Sequence, residues 1–303
     1  MAPRRGACGG PSGSAEKAIP WGGPLETSDR LFATWAADLS RWGIPEAILA
    51  AAPEEPWVFP RGVFAGRAKQ QVANRAGPSF SLADEALPDG GSVIDVGSGA
   101  GAASLPLAAK ASRITAVDTD PGMLAALADL AAAMPAPHAS VEQVVGRWPD
   151  VAPAVGAADV VCCHHVLYNV TQLRPFVVAL TDHARARVVV EMTEVHPTEP
   201  MNPLWLRFHG LVRPVGPTWE DAAEAIRSLG HDVRVERWDT APLHVYETFE
   251  EMVAYHRRRL CLPASADPDV AEALRDLGVD PAHPVGLGRG RPMITLYWAG
   301  TAA

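Results

Sequence analysis

The segment SVIDVGSGAGAAS, residues 92–104, constrains this chain more than any other stretch. A short apolar run at 92–96 enters the glycine-rich turn GSGAG at 97–101, and AASLPLAAKA at 102–111 reads as a helix. Glycine reaches positive φ without a Cβ penalty and lets a ligand approach the backbone closely. The start of a helix adds backbone N–H groups with no partner of their own. Strand, turn and helix together give a nucleotide-binding geometry. Gly97, Gly99 and Ala102 also satisfy the G-x-G-x-x-G/A dinucleotide pattern. An NAD(P)-dependent oxidoreductase is therefore one reading.

The rhythm continues downstream. RITAVD (113–118), VEQVVG (141–146), ADVVCCHHV (158–166) and RVVVEM (187–192) read as strands, with helices at 121–134 and 171–184 between them. Strands alternating with helices predict an α/β fold, a mostly parallel sheet with helices on both faces. Residues 193–216 interrupt this with four prolines and the aromatic residues Trp205 and Phe208, and are read as an insertion over the sheet's carboxyl edge. Helices at 219–230, 247–260 and 267–278 and strands at 232–238 and 291–300 complete the domain, set at 91–303. Ahead of it, 1–26 is rich in Gly, Pro and Ser and is expected to be a disordered tail. Residues 27–90 are expected to form a helical N-terminal cap, in which Trp35 and Trp42 stand at core positions.

Charge narrows the partners. The 35 acidic residues exceed the 26 basic ones, for a net charge of −9, which disfavours nucleic acid as a partner. The run Arg257–Arg259 reads as a solvated helix face. No apolar stretch reaches membrane-spanning length, and Met1–Pro20 lacks the apolar core of a secretory signal. The four cysteines make neither a disulfide framework nor a zinc spacing, so no metal is expected. A cytoplasmic setting is the expectation.

Asp95 separates the readings of the turn. It stands inside the first strand, two residues before Gly97. A carboxylate there would repel a pyrophosphate and attract a cation, and Gly101 extends the pattern to G-x-G-x-G. With its acid-x-G-x-G-x-G turn the chain resembles the class I S-adenosylmethionine-dependent methyltransferases. The resemblance implies a Rossmann-like sheet of seven strands, the last antiparallel. It implies S-adenosyl-L-methionine as cofactor and S-adenosyl-L-homocysteine (SAH) as product. Asp95, Gly97, Ser98, Gly99 and Gly101 would then be cofactor-binding residues. Asp118, closing the second strand, would accept the ribose hydroxyls, with Asp120 as the rival, and Thr119 and Met123 would lie beside ribose and adenine.

The third motif departs from the family. Arg147 and Trp148 stand where an adenine-binding acid is common, so adenine is held by the backbone of Arg147, by stacking on Trp148, or by Asp150. Core packing of Trp148 is the competing reading. After the fourth strand, His164, His165, Tyr168 and Asn169 are candidates to face the ligand; period-two alternation allows only one of the two histidines to do so, and the resemblance implies His164. Trp57, Phe59 and Trp205, with Tyr168 and Asn169, are candidates for the acceptor pocket. The acceptor is read as a small, partly apolar molecule. If it must lose a proton, His164, His196 or His209 is the candidate base. A cofactor-binding protein without transfer activity is the non-enzymatic alternative.

Overall fold

The computed structural model describes residues 24–57, 61–75, 77–136, 138–240, 246–284, 286–287 and 292–303. Most of the expected tail lies outside them. Four helices precede the sheet: α1 (Pro24–Ser40), α2 (Glu46–Ala50), α3 (Arg61–Asn74) and α4 (Pro78–Ala86). Helix α1 takes in the last three residues of the expected tail, with Pro24 in the first turn, where a missing N–H is harmless.

The sheet is built from β1 (Ser92–Val96), β2 (Arg113–Asp118), β3 (Ser140–Val145), β4 (Ala158–His164), β5 (Ala184–Thr193), β6 (Arg234–Asp239) and β7 (Pro292–Ala299). Its order is β3-β2-β1-β4-β5-β7-β6. Neighbours are parallel from β3 to β5, whereas β7 runs antiparallel to both β5 and β6. The chain reverses direction across the sheet between β1 and β4. That reversal opens a crevice at the carboxyl ends of the two strands, where open α/β sheets bind their ligands.

Period-two alternation distributes the strand residues between two cores. Ile94, Val96, Val161, Cys163, Val188 and Val190 pack on one face with α1, α6 (Leu173–His183) and α8 (Trp219–Arg227). Val93, Val160, Cys162 and Val189 pack on the other with α4 and α5 (Pro121–Ala132). Trp35 is fully buried, as the helical spacing predicts. The expected helix at 102–111 is instead a series of turns around a 3-10 segment at Leu105–Leu107. Pro106 has no N–H to donate to an α-helical ladder, and the Ser104 hydroxyl is drawn onto Asp95.

A third apolar cluster stands apart from the sheet. The segment after β5 forms α7 (Asn202–His209), whose Leu204 and Trp205 pack with Phe249 and Met252 of α9 (Phe249–Arg259) and Val270 and Leu274 of α10 (Asp267–Asp276). The Arg257–Arg259 run is not a solvated face. Arg257 and Arg259 are each 7% exposed, because α9 is sandwiched between α10 and the Pro53–Trp57 stretch. Arg257 meets Glu54 at 2.6 Å and Asp267 at 2.9 Å. Among the described residues no helix is long and apolar enough to cross a membrane.

Candidate active site

The glycine turn leaves β1 with Gly97 at φ +71° and Gly99 at φ +51°, conformations that L side chains rarely adopt. The two glycines answer different needs. A Cβ on Gly97 would overlap Val166 Cγ2, in the loop after β4, so that loop and the turn are in direct contact. A Cβ on Gly99 meets nothing within 4 Å, and so the turn keeps open space above its middle residue. Gly101 packs against Leu105 and Leu127.

Two acids flank the turn in different surroundings. Asp118 at the end of β2 accepts the Gly99 N–H through Oδ2 at 2.8 Å and the Asp120 N–H through Oδ1 at 2.9 Å. A carboxylate has about four acceptor positions, so capacity for further donors remains. Asp120 caps α5 by accepting the Gly122 N–H at 2.8 Å. Asp95 is fully buried and accepts the Ser104 hydroxyl at 2.5 Å. Burial pushes its pKa up to about 7, helped by the charge of Asp118 and opposed by the Ser104 bond. It is thus only partly ionised at neutral pH, so the fixed anion expected beside the turn is weaker than its position in the sequence suggests.

At the β2–β3 end, Thr119 and Arg147 are exposed, and Met123 is 9% exposed at the start of α5. Trp148 is 5% exposed, inside the core beside β4 and β5, with its ring edge-on to His183 at 5.0 Å. Of its two readings the structure takes core packing, because the chain after β3 folds inward to cover that face.

The β4 end breaks the expected alternation. The strand stops at His164, and His165 adopts φ +61°, so period two no longer fixes its direction. His165 Nδ1 lies 2.6 Å from the Tyr168 hydroxyl and its Nε2 lies 3.1 Å from Glu191 on β5. Arg67 of α3 also reaches His165 Nε2 and stands 3.8 Å from Glu191. Burial disfavours ionising Glu191, but His164, His165 and the Ser79 hydroxyl outweigh it and hold the carboxyl below the usual range. Burial also lowers His164 to about 4, against the opposing pull of Glu191, so its ring is neutral at pH 7. Burial raises the Cys162 and Cys163 thiols far above the range of a nucleophilic thiolate.

Past this loop lies a cavity of about 250 Å³. It is lined by Trp42 in the turn after α1, Trp57, Tyr168, Asn169, His196 and Trp205, together with Arg213 and Arg259. Two indoles tie together the segments around it, Trp42 from the lining and Trp35 from behind it. Trp35 donates to the Val170 carbonyl at 2.8 Å, and Trp42 donates to the Gly216 carbonyl at 2.8 Å. Phe59 lies outside the described residues. His196 stacks on Trp42 at 3.9 Å, and its Nδ1 accepts the Thr198 N–H at 3.3 Å. His209 does not reach this cavity's lining. Its Nε2 bonds to the Leu260 carbonyl at 2.7 Å, tying α7 to α9's end, which removes it as the expected base.

Three buried polar atoms of the crevice have no hydrogen-bond partner: Asp95 Oδ1, Ser98 Oγ and His164 Nε2. With the open space at Gly99, they suit a ligand rich in donors and acceptors. The sequence profile of the family described as "Methyltransferase domain" matches residues 94–186, which span β1 to the start of β5. The match to a methyltransferase domain covers about a third of the chain. The chain's fold is similar to that of a cyclopropane-fatty-acyl-phospholipid synthase-like protein from Lactobacillus casei. That pair is 15% identical, covers 84% of this chain and 98% of the other, and has a TM-score of 0.50. Magnesium protoporphyrin IX methyltransferase from Synechocystis, with bound SAH, is 16% identical over 92% of this chain and 99% of its own, at TM-score 0.46. No curated protein matches the sequence significantly.

The turn and Asp118 are joined by the Gly99 N–H bond at the carboxyl ends of β1 and β2, and Trp57, Tyr168, Asn169, His196 and Trp205 line the cavity. Sequence reasoning did not select Arg67, His165, Glu191 or Arg213. Glu191 had a signal: an acid inside an apolar strand, RVVVEM, as anomalous as Asp95 in SVIDV. Arg67 and Arg213 had none, since an arginine in a polar helix or a loop is ordinary.

Proposed function

We propose that this chain binds S-adenosylmethionine in the crevice between β1 and β4 and transfers its methyl group to a small molecule in the adjoining cavity, releasing SAH. One observation carries the reading. The loop after β4 presses on the Gly97 turn through Val166 and lines the cavity through Tyr168 and Asn169. Cofactor and acceptor would therefore share one wall. A cavity of about 250 Å³ suits a small acceptor rather than a segment of macromolecule.

The bound sulfonium supplies an electrophilic methyl group. What the chain supplies is position, which is worth roughly 7–11 kcal/mol for two well-oriented reactants. Asp118 would take the ribose hydroxyls on its remaining acceptor positions, and Gly99 leaves the backbone approachable. Ser98 Oγ and His164 Nε2 offer bonds to the methionine part. Of the three histidines considered as base, His196 lines the cavity and is assigned to hold or move the acceptor's proton. Its stacking on Trp42 and the Thr198 bond fix its ring plane.

Calorimetric titration of the full chain with SAH and with NADH tests the cofactor. Binding of SAH alone is expected; binding of NADH alone would remove the reading. Incubation with methyl-labelled cofactor and a fraction of small metabolites tests transfer. Label should move to a small molecule in the wild type and less so in His196→Ala. SAH binding with no transfer to any fraction would leave the non-enzymatic alternative instead.

A further inference from the structure

We propose that the acceptor is a planar aromatic molecule carrying an anionic group, a carboxylate in the simplest case, and that Arg213 binds that anion. The inference rests on the cavity's being the acceptor site and goes further by assigning the chemistry of what enters. The walls are flat rings: Trp42 and His196 stacked nearly parallel at 12°, with Tyr168 edge-on to His196 at 5.8 Å. Such surfaces favour a planar guest. The charged side chains of the lining are Arg213 and Arg259, and no Asp or Glu lines it. In a chain of net charge −9, that is a local reversal of sign.

Arg213 differs from the arginines around it. Arg257 is neutralised by Glu54 and Asp267, and Arg207 by Glu272 and Asp276. Arg213 has no carboxylate at ion-pair distance among the described residues. Its Nη1 donates to the carbonyls of Trp42 at 2.6 Å and Gly43 at 2.9 Å, and its guanidinium lies 4.3 Å over Trp205. Those bonds hold the group in place without balancing its charge. Among the described residues its buried Nε has no partner, and its hydrogen bonds are made by Nη1 alone. The Nε–Nη2 edge is the one that meets a carboxylate through two parallel bonds. Arg259, on the same lining, stands 5.1 Å over Trp57 and donates to the Pro56 carbonyl at 3.2 Å.

The test is calorimetry on the full chain with 2-naphthoate and its uncharged isostere 2-naphthamide, each with and without saturating SAH. The carboxylate should bind about ten- to a hundredfold more tightly than the amide, the range expected for hydrogen bonds to a charged group. In Arg213→Met that advantage should fall to about twofold, while Arg213→Lys retains part of it. Equal or tighter binding of the amide overturns the proposal. So does failure of both probes to bind, or an undiminished advantage in Arg213→Met and Arg259→Met alike. Should Arg213→Met lose its cooperative thermal transition, the wild-type comparison and Arg259→Met decide. The titrations without SAH keep the result separate from the cofactor assignment, which fails only if the wild type does not bind SAH.

Discussion

Replacing Gly97 by alanine perturbs the joint between cofactor turn and acceptor loop. Two terms add. At φ +71° an L side chain costs about 1–2 kcal/mol of backbone strain. The new Cβ also overlaps Val166 Cγ2, and forced overpacking costs about 1–3 kcal/mol. Gly97→Ala should therefore lose about 2–5 kcal/mol. Val166→Ala removes the offending methyl and leaves its own Cβ 3.5 Å away, an ordinary contact. Alone it should cost about 1–2 kcal/mol for two methyl groups taken from partly buried packing. The double variant keeps the strain but loses the overlap, so it should be about 1–3 kcal/mol more stable than the sum of the single effects. Equilibrium urea unfolding of the four proteins measures that coupling, and SAH titration follows the crevice in parallel. If the single effects add to within about 0.5 kcal/mol, Gly97 and Val166 do not touch, and the shared wall between the two sites is lost with them.

Asp118→Ala should weaken SAH binding about ten- to a hundredfold in calorimetry while the chain stays folded; unchanged affinity would transfer the ribose contact elsewhere. Gly99→Val places a side chain in space the protein leaves open, so it should abolish SAH binding with only the modest destabilisation of a φ +51° residue; normal affinity would contradict the turn assignment. Asp95 has its pKa raised from 3.8 to about 7, so the folded chain holds a proton that the unfolded chain releases in between. Its contribution to stability falls as pH rises from about 4 to about 7, by up to about 4 kcal/mol. Asp95→Asn cannot ionise, so urea unfolding at pH 5 and pH 8 should show the variant gaining on the wild type at the higher pH, and a constant gap would show that Asp95 does not titrate there.

The β4 end shows why site residues are harder to read than strands. Alternation along CCHHV predicts one histidine toward the ligand and one away, and that holds while the chain is a strand. It ends at His164, and the left-handed turn at His165 sends that ring to Glu191 and Tyr168. The partner on β5 is 26 residues on, and the register that sets His164 beside Glu191 belongs to the sheet, not to either segment. The expected solvated face at Arg257 fails for the same reason: one of its two neutralising acids, Glu54, is 203 residues away in the chain.

What the sequence by itself determined was local: the strand–glycine–turn at 92–101, the acids at 95 and 118, the helix spacing that buries Trp35, and the alternation of strand and helix. These follow from φ restrictions, hydrophobic period and the penalty on a buried carboxylate, which act within a few residues. Only the tertiary structure decided that Trp148 joins the core, that His196 rather than His209 meets the cavity, and that Arg213 faces it with no acid beside it. Burial and pairing are properties of what lies opposite a side chain, and what lies opposite is set when distant helices close over the sheet.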